Sequence, residues 1–180
     1  MGSQSRGFIQ TRPIITTFAA YVQEPKNRVE YMSIMQLSSP AFPANDFLPA
    51  KYTGDDANLS PPLTISDVPP RTLSLVLIVD DPDAPAGDWV HWLVWNLSPQ
   101  TTQISEGNLP LGAIQGLNDF GNQAYSGPCP PSGLHRYQFK LYALDTTLDL
   151  SSLTQKPQLL QAIKPHLLAE TILIGLYQRR

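Results

Sequence analysis

Apolar and polar residues follow one another in short runs that predict strands rather than helices. Three such runs, at 72–79 ("TLSLVLIV"), 90–97 ("VHWLVWNL") and 137–144 ("YQFKLYAL"), are rich in β-branched and aromatic residues and are bounded by Pro, Gly or Asp. Two further strands are predicted at 30–39 and 171–178. In the run at 137–144 the side chains alternate well, so that one face of the strand carries Tyr137, Phe139, Leu141 and Ala143, and the other Gln138, Lys140 and Tyr142.

Helix is scarce in the predicted pattern. Residues 157–163 ("PQLLQAI") begin with proline, which suits the first turn of a helix, and 165–170 ("PHLLAE") continue the helix after a kink. The connections at 40–63 and 98–133 are long and rich in turn residues, and ordered loops of such length are usually functional or packed down on the fold. The pattern predicts a mainly β domain with a small helical addition near the C-terminus.

Composition narrows the class of protein. A chain of 180 residues suits one domain, and a net charge of -3 without a basic run argues against nucleic-acid binding. No apolar run approaches the length of a membrane span. Cys129 is the single cysteine, which excludes an intramolecular disulfide and favours a reducing compartment, so we expect a cytoplasmic protein rather than a periplasmic or secreted one.

The candidate chemistry lies at strand ends. The stretch "DDPDAPAGDWVHW" (80–92) places Asp81 after one predicted strand and His91 at the start of the next, while His135 and Tyr137 share parity on a third strand. Imidazolium and tyrosine hydroxyl groups donate hydrogen bonds, and an aspartate beside the imidazoles raises their pKa and accepts a proton or an ammonium group. This set suits a phosphate ester.

Other interpretations of these residues stay open. Histidines at strand ends are often structural, and "DPDAP" is good turn chemistry by itself. A zinc site would draw on four separate segments through Asp81, His91, Cys129 and His135. No G-x-S-x-G nucleophile turn is present, and Cys129 stands between two prolines, where a rigid structural role is simpler than nucleophilic catalysis. We therefore expect a binding protein that is not an enzyme and needs no cofactor.

Two motifs in order carry a family resemblance. "DDPDAP" followed by "VHW", and then "GPCPPSGLHRYQFKLYALD" (127–145), resemble the phosphatidylethanolamine-binding protein family, which includes the Raf kinase inhibitor protein. The forms "NDFG" and "GPCPP" resemble its bacterial and archaeal branch. The resemblance covers about residues 32–178, and we predict an N-terminal extension at 1–28 and one domain at 29–180.

The resemblance implies a large antiparallel sheet packed on a smaller one, short helices near the C-terminus, and a surface cavity for phosphoryl groups. By motif, Asp81, His91, His135 and Tyr137 are the cavity residues. Val90 stands where eukaryotic members often have a second histidine. Four further ligand-binding residues are implied in the loops: Asp83 supports the loop of Asp81, Gly127 and Pro128 form the wall of the second loop, and Pro82 lies between the two aspartates.

The resemblance also implies partners. The expected ligand is a phosphoryl-containing small molecule or a phosphorylated group, and some family members inhibit a kinase or a serine protease through their surface. A homodimer stays open, and a metal-dependent hydrolase is the remaining alternative.

Overall fold

Two β-sheets of unequal size dominate residues 34–179, the part of the chain that our computed structural model describes. These residues lie in a compact unit that spans Met32–Arg180. In chain order the strands are β1 (Gln36–Ser38), β2 (Asp46–Phe47), β3 (Leu63–Ser66), β4 (Ser74–Asp81), β5 (Trp89–Leu97), β6 (Gln103–Ile104), β7 (Ile114–Gln115), β8 (His135–Leu144) and β9 (Leu167–Tyr177). The predicted extension at 1–28 lies outside the described residues.

The small sheet has the order β1-β3-β6, and the large sheet has the order β2-β9-β8-β4-β5-β7. Neighbouring strands are antiparallel except for β2 and β9, which run parallel. One α-helix, α1 (Lys156–Ile163), follows the last long loop. The predicted fold class is therefore confirmed. Within the described range, no helix has the length and apolar character that crossing a membrane requires.

The main core fills the space between the two sheets. Leu63 and Ile65 of the small sheet meet Leu77 and Phe139 of the large one in this core. A second core covers the opposite face of the large sheet, where Leu159 of α1 packs with residues of β4, β5 and β8. All eight residues of β4 are consequently buried, which explains why its sequence is almost continuously apolar.

The C-terminal prediction needs a correction. We expected helix over 165–170, but only Lys164–His166 continue α1, as a 3-10 helix, and β9 already begins at Leu167. Pairing with β8 explains the difference: β9 follows it from Leu167↔Leu144 to Tyr177↔His135, and this ladder outweighs the helix propensity of "LLAE". At the other end, β1 is shorter than the predicted strand at 30–39, whose residues 30–33 lie outside the described range.

Candidate functional site

Strand β4 ends on two aspartates that point to opposite sides of the large sheet. Asp81 is buried on the side of the small sheet. Its Oδ1 accepts a hydrogen bond from the backbone N–H of Asp83 at 2.9 Å, and its Oδ2 lies 2.7 Å from Nδ1 of His135. A carboxylate can accept about four hydrogen bonds. Asp81 therefore keeps acceptor capacity after both contacts.

A β-bulge directs His91 to the same side. Val79 pairs with Trp92 and Asp80 pairs with Val90, so that His91 is an extra residue without a partner on β4. A bulge of this kind changes the direction of the side chains that follow it. Val90 accordingly packs in the core beside α1, whereas Trp92 packs between the sheets. His91 is buried next to Trp92 and faces the same side as Asp81.

The long loop before β8 holds the His91 ring. Nδ1 of His91 lies 2.5 Å from the carbonyl oxygen of Ser126, so Nδ1 carries the proton and donates it to this oxygen. Nε2 then has no partner among the described residues. Burial lowers the pKa of His91, and this effect outweighs the raising influence of Ser126 and Asp81. Asp81 raises the pKa of His91 as expected, but burial makes the net shift downward.

Asn118 organises this loop, and our sequence reasoning missed it. Its Nδ2 donates to the carbonyl oxygens of His91 and Ala124, at 3.2 and 2.9 Å, and to Oγ of Ser126 at 3.1 Å. Its Oδ1 accepts from the backbone N–H groups of Phe120 and Asn122. The "NDFG" turn was the available signal, because asparagine often bonds to the backbone of the residues that follow it.

His135 and Tyr137 stand two residues apart on β8, as their parity predicts. Their rings stack with centroids 6.5 Å apart, and the His91 ring meets Tyr137 edge-on at 5.2 Å. Nδ1 of His135 faces Asp81, and its Nε2 lies 3.2 Å from the carbonyl oxygen of Ser132. Both ring nitrogens of His135 are therefore occupied by oxygen acceptors.

The hydroxyl group of Tyr137 has no hydrogen-bond partner among the described residues, although the side chain is only 1% exposed. Burial, then the charge of Asp81 and a side-chain contact with Asp81 that falls outside hydrogen-bond geometry, raise the pKa of Tyr137, so the hydroxyl keeps its proton at neutral pH. A buried polar group without a partner costs stability, and in a native protein it calls for an explanation. The explanation we favour is that the Tyr137 hydroxyl is free to donate a hydrogen bond to a bound ligand.

A cavity of about 280 Å³ brings these groups together. Its polar members are Asp81, His91, His135, Tyr137 and Cys129, and apolar side chains supply the rest of the wall. The apolar members are Ala84, Pro85, Ala86, Trp89, Phe120, Pro130 and Pro131. A larger groove of about 940 Å³ elsewhere contains Asp55 and Arg179, which already pair with each other. We therefore consider the smaller cavity the candidate site.

Four of the eight predicted site residues line this cavity, and the other four do not. Asp83 turns away and binds Arg136 in a fork, with contacts of 2.9 and 2.7 Å that lower its pKa to about 2. Gly127 allows two backbone segments to pack closely, because a Cβ at this position would lie 2.6 Å from the carbonyl oxygen of Tyr52. Pro82 and Pro128 sit in the loops that carry the lining residues.

The zinc set that we considered does not assemble. Among the described residues, no three His, Cys, Asp or Glu side chains come together as the ligands of a metal ion would. Cys129 is exposed and contacts Arg179 instead of an imidazole.

Comparisons with known proteins agree with this architecture. A family model described as "Phosphatidylethanolamine-binding protein" matches residues 38–178. The chain therefore belongs to the phosphatidylethanolamine-binding protein family. Its relatives place it in the bacterial and archaeal branch. It is 49% identical to a UPF0098 protein of Methanothermobacter thermautotrophicus over 150 residues, which cover 81% of this chain and 99% of the relative.

Solved structures show the same fold. A phosphatidylethanolamine-binding protein homologue of Chlamydia trachomatis is 45% identical and superposes with a TM-score of 0.79, covering 82% of this chain and 99% of that one. YbcL of Escherichia coli, described as a member of the mammalian family, is 32% identical with a TM-score of 0.78, and covers 82% and 100%.

Proposed function

We propose that the cavity binds the phosphoryl group of a small molecule, and that the protein acts by binding rather than by catalysis. The unpaired, buried hydroxyl of Tyr137 carries this proposal, because a ligand oxygen would supply the acceptor that this donor lacks among the described residues. The family membership of the chain supports the same ligand class.

The polar groups divide into one donor and two acceptors. Tyr137 donates to a phosphoryl oxygen, while Asp81 and the free Nε2 of His91 accept. This balance favours a phosphate monoester that still carries a proton, or one that carries an ammonium group. A fully ionised anion would bring no hydrogen to the buried Asp81 carboxylate and would be repelled by it.

The contacts of the two imidazoles support the proposal of binding rather than catalysis. Nucleophilic catalysis needs a base in hydrogen-bond reach of a hydroxyl or thiol. Within residues 34–179, His91 contacts the Ser126 carbonyl oxygen, and His135 contacts Asp81 and the Ser132 carbonyl oxygen. Neither ring contacts a serine hydroxyl or the Cys129 thiol there.

Calorimetric titration with O-phosphoethanolamine, from mildly acidic to neutral pH, tests the proposal. Affinity should rise as the pH falls, because the phosphate monoester gains a proton that it can donate to Asp81. His135→Ala, which deprives Asp81 of its partner, should weaken binding. An affinity that does not change with pH, or an unchanged affinity in His135→Ala, would contradict the proposal.

Three expectations about this protein remain predictions: regulation of a kinase or serine protease, a homodimeric state and a cytoplasmic location. A pull-down with and without O-phosphoethanolamine tests the first. A protein partner that the ligand displaces would tie regulation to the cavity.

A further inference from the structure

Cys129 presents an exposed sulfur on a fixed loop at the cavity. Prolines precede and follow it, and the backbone N–H of Gly54 donates to the carbonyl oxygen of Pro128 at 2.8 Å. A Cβ added to Gly54 would lie 3.3 Å from Cβ of Cys129 and 3.6 Å from its sulfur, so the loop packs closely on this glycine. The loop backbone is therefore held while the thiol stays accessible.

A guanidinium group stands against this sulfur. Nη2 of Arg179 donates to Sγ of Cys129, and the same side chain is held by Asp55 through Nε at 2.9 and 3.0 Å. Tyr177 fixes Asp55 in turn with a hydrogen bond of 3.0 Å. Asp55 and, to a smaller extent, Cys129 raise the pKa of Arg179. Exposure and a cationic neighbour are the features that distinguish reactive cysteines from inert ones.

A second observation, independent of Cys129, indicates that the cavity binds a polar molecule. Tyr137, 1% exposed, lines the same cavity, and its hydroxyl has no partner among the described residues. A small hydrogen-bonding molecule that enters this cavity would meet both the unpaired hydroxyl and the sulfur.

We propose that Cys129 is a redox-modification site, at which a peroxide that enters the cavity oxidises the sulfur to a sulfenic acid. The thiolate attacks one peroxide oxygen, an S–O bond forms and the O–O bond breaks. The sulfur loses two electrons, and the other oxygen leaves as hydroxide and is protonated to water. A small thiol then forms a mixed disulfide with release of water, and a second thiol restores Cys129.

Oxidation would also obstruct the cavity, and this consequence rests on the proposed function. The added oxygen stands in the wall that a bound phosphoryl group faces, and it competes for the Tyr137 hydroxyl. A ligand in the cavity should in turn protect the sulfur.

The test measures how fast dimedone labels the full chain after equimolar hydrogen peroxide, by mass spectrometry. The single cysteine makes each adduct unambiguous. We expect one adduct on the wild-type chain and a several-fold slower rate in Arg179→Gln, which lacks the cation at the sulfur. Lys51→Gln is the matched control, because it removes a cation from the Lys51–Glu106 surface pair and should keep the wild-type rate. Equal rates in Arg179→Gln and wild type, or a folded chain that reacts no faster than the urea-unfolded chain, would overturn the proposal.

Titration of the oxidised chain with O-phosphoethanolamine tests the consequence. Affinity should fall on oxidation and return after treatment with dithiothreitol, whereas peroxide should cause no change in the affinity of Cys129→Ser relative to the same variant before treatment. Equal affinities of the oxidised and reduced chains would contradict the inference that oxidation of Cys129 obstructs the cavity. A reduced chain that never binds the ligand would contradict the proposed function instead, while the labelling rates would still decide the redox site.

Discussion

Asp80 and Asp81 are neighbours on one strand, yet they serve two different regions of the molecule. Asp80 faces α1 and is fully buried, where its Oδ2 lies 2.8 Å from Nζ of Lys140 and 2.5 Å from Nζ of Lys156. Asp81 faces the cavity, and its carboxylate contacts the imidazole of His135 and the backbone N–H of Asp83. Lys140 and Lys156 neutralise the carboxylate of Asp80, whereas the carboxylate of Asp81 can still accept hydrogen bonds from a ligand.

Successive side chains of a strand point to opposite faces of the sheet, so Asp80 lies in a structural cluster while Asp81 lies in the candidate binding site. Lys156 also contacts Asp88, so its cluster ties the start of α1 to the loop after β4. Such a cluster stabilises one arrangement, and its members Asp80, Lys140 and Lys156 line neither of the two cavities described above. Each region leaves a buried polar atom without a partner among the described residues, Oδ1 of Asp80 in the cluster and the hydroxyl of Tyr137 near Asp81, but of these two residues only Tyr137 lines the candidate cavity.

Asp80→Asn should have the largest effect, and it should be an effect on stability. The substitution leaves two largely buried lysines without their carboxylate, so we expect a loss of about 3 kcal/mol in the free energy of unfolding. Urea denaturation measures this loss. Phosphate affinity should change little at temperatures where the variant is folded. A variant as stable as the wild type would show that the cluster is dispensable.

Asp81→Asn should act mainly on binding. The carboxylate accepts a proton or an ammonium group from the ligand, so its loss should weaken O-phosphoethanolamine binding by about 2 kcal/mol. Sulfate, which carries no proton at neutral pH, should bind the variant better than it binds the wild type, because the repelling charge is gone. Competition titrations measure both affinities. If the preference for phosphate over sulfate is the same in both proteins, Asp81 does not contact the ligand.

The pH dependence of stability should separate the two regions further. The pKa of His91 lies below its ordinary value of 6.5, so between these two pKa values the unfolded chain binds a proton that the folded chain does not. Stability should therefore fall as the pH drops below 6.5, by up to about 1.4 kcal/mol per pH unit. Urea denaturation of wild type and His91→Gln from pH 7.5 to 5 measures this. Parallel profiles would contradict the account of His91.

Asp83→Asn should have the smallest effect. Arg136 lowers the pKa of Asp83 from 3.8 to about 2, but more than half of the Arg136 side chain and about a quarter of the Asp83 side chain are exposed, and water screens such pairs. We expect a minor loss of stability at neutral pH. This loss should shrink as the pH falls from 4 to 2, where wild-type Asp83 becomes protonated too. A loss as large as that of Asp80→Asn would show that the loop depends on this pair.

Much of this arrangement could be predicted from the sequence. The periodicity of 137–144 predicted which side chains of β8 share a face, and it placed His135 and Tyr137 together. The paired motifs predicted that β4, β5 and β8 meet at one cavity. These features depend on local alternation, which a sequence displays directly.

The remaining features depend on contacts between distant segments. The bulge at His91 requires knowing how β5 pairs with β4, and the role of Asn118 requires the path of a long loop. Pairing with β8 made Leu167–Glu170 a strand against its local propensity. The contact of Arg179 with Cys129 joins residues 50 positions apart. Alternation within one segment contains no information on such pairings.

The proposed function depends most on the Tyr137 hydroxyl, which lacks a hydrogen-bond partner among the described residues and would gain one from a bound ligand. Calorimetric titration of Tyr137→Phe with O-phosphoethanolamine tests it most directly, with Tyr142→Phe, on the opposite face of β8, as the control. We predict that Tyr137→Phe keeps or gains stability and loses about tenfold in affinity, the equivalent of one hydrogen bond to a charged group, while Tyr142→Phe binds as the wild type does. Equal affinities for wild type and Tyr137→Phe would contradict the claim.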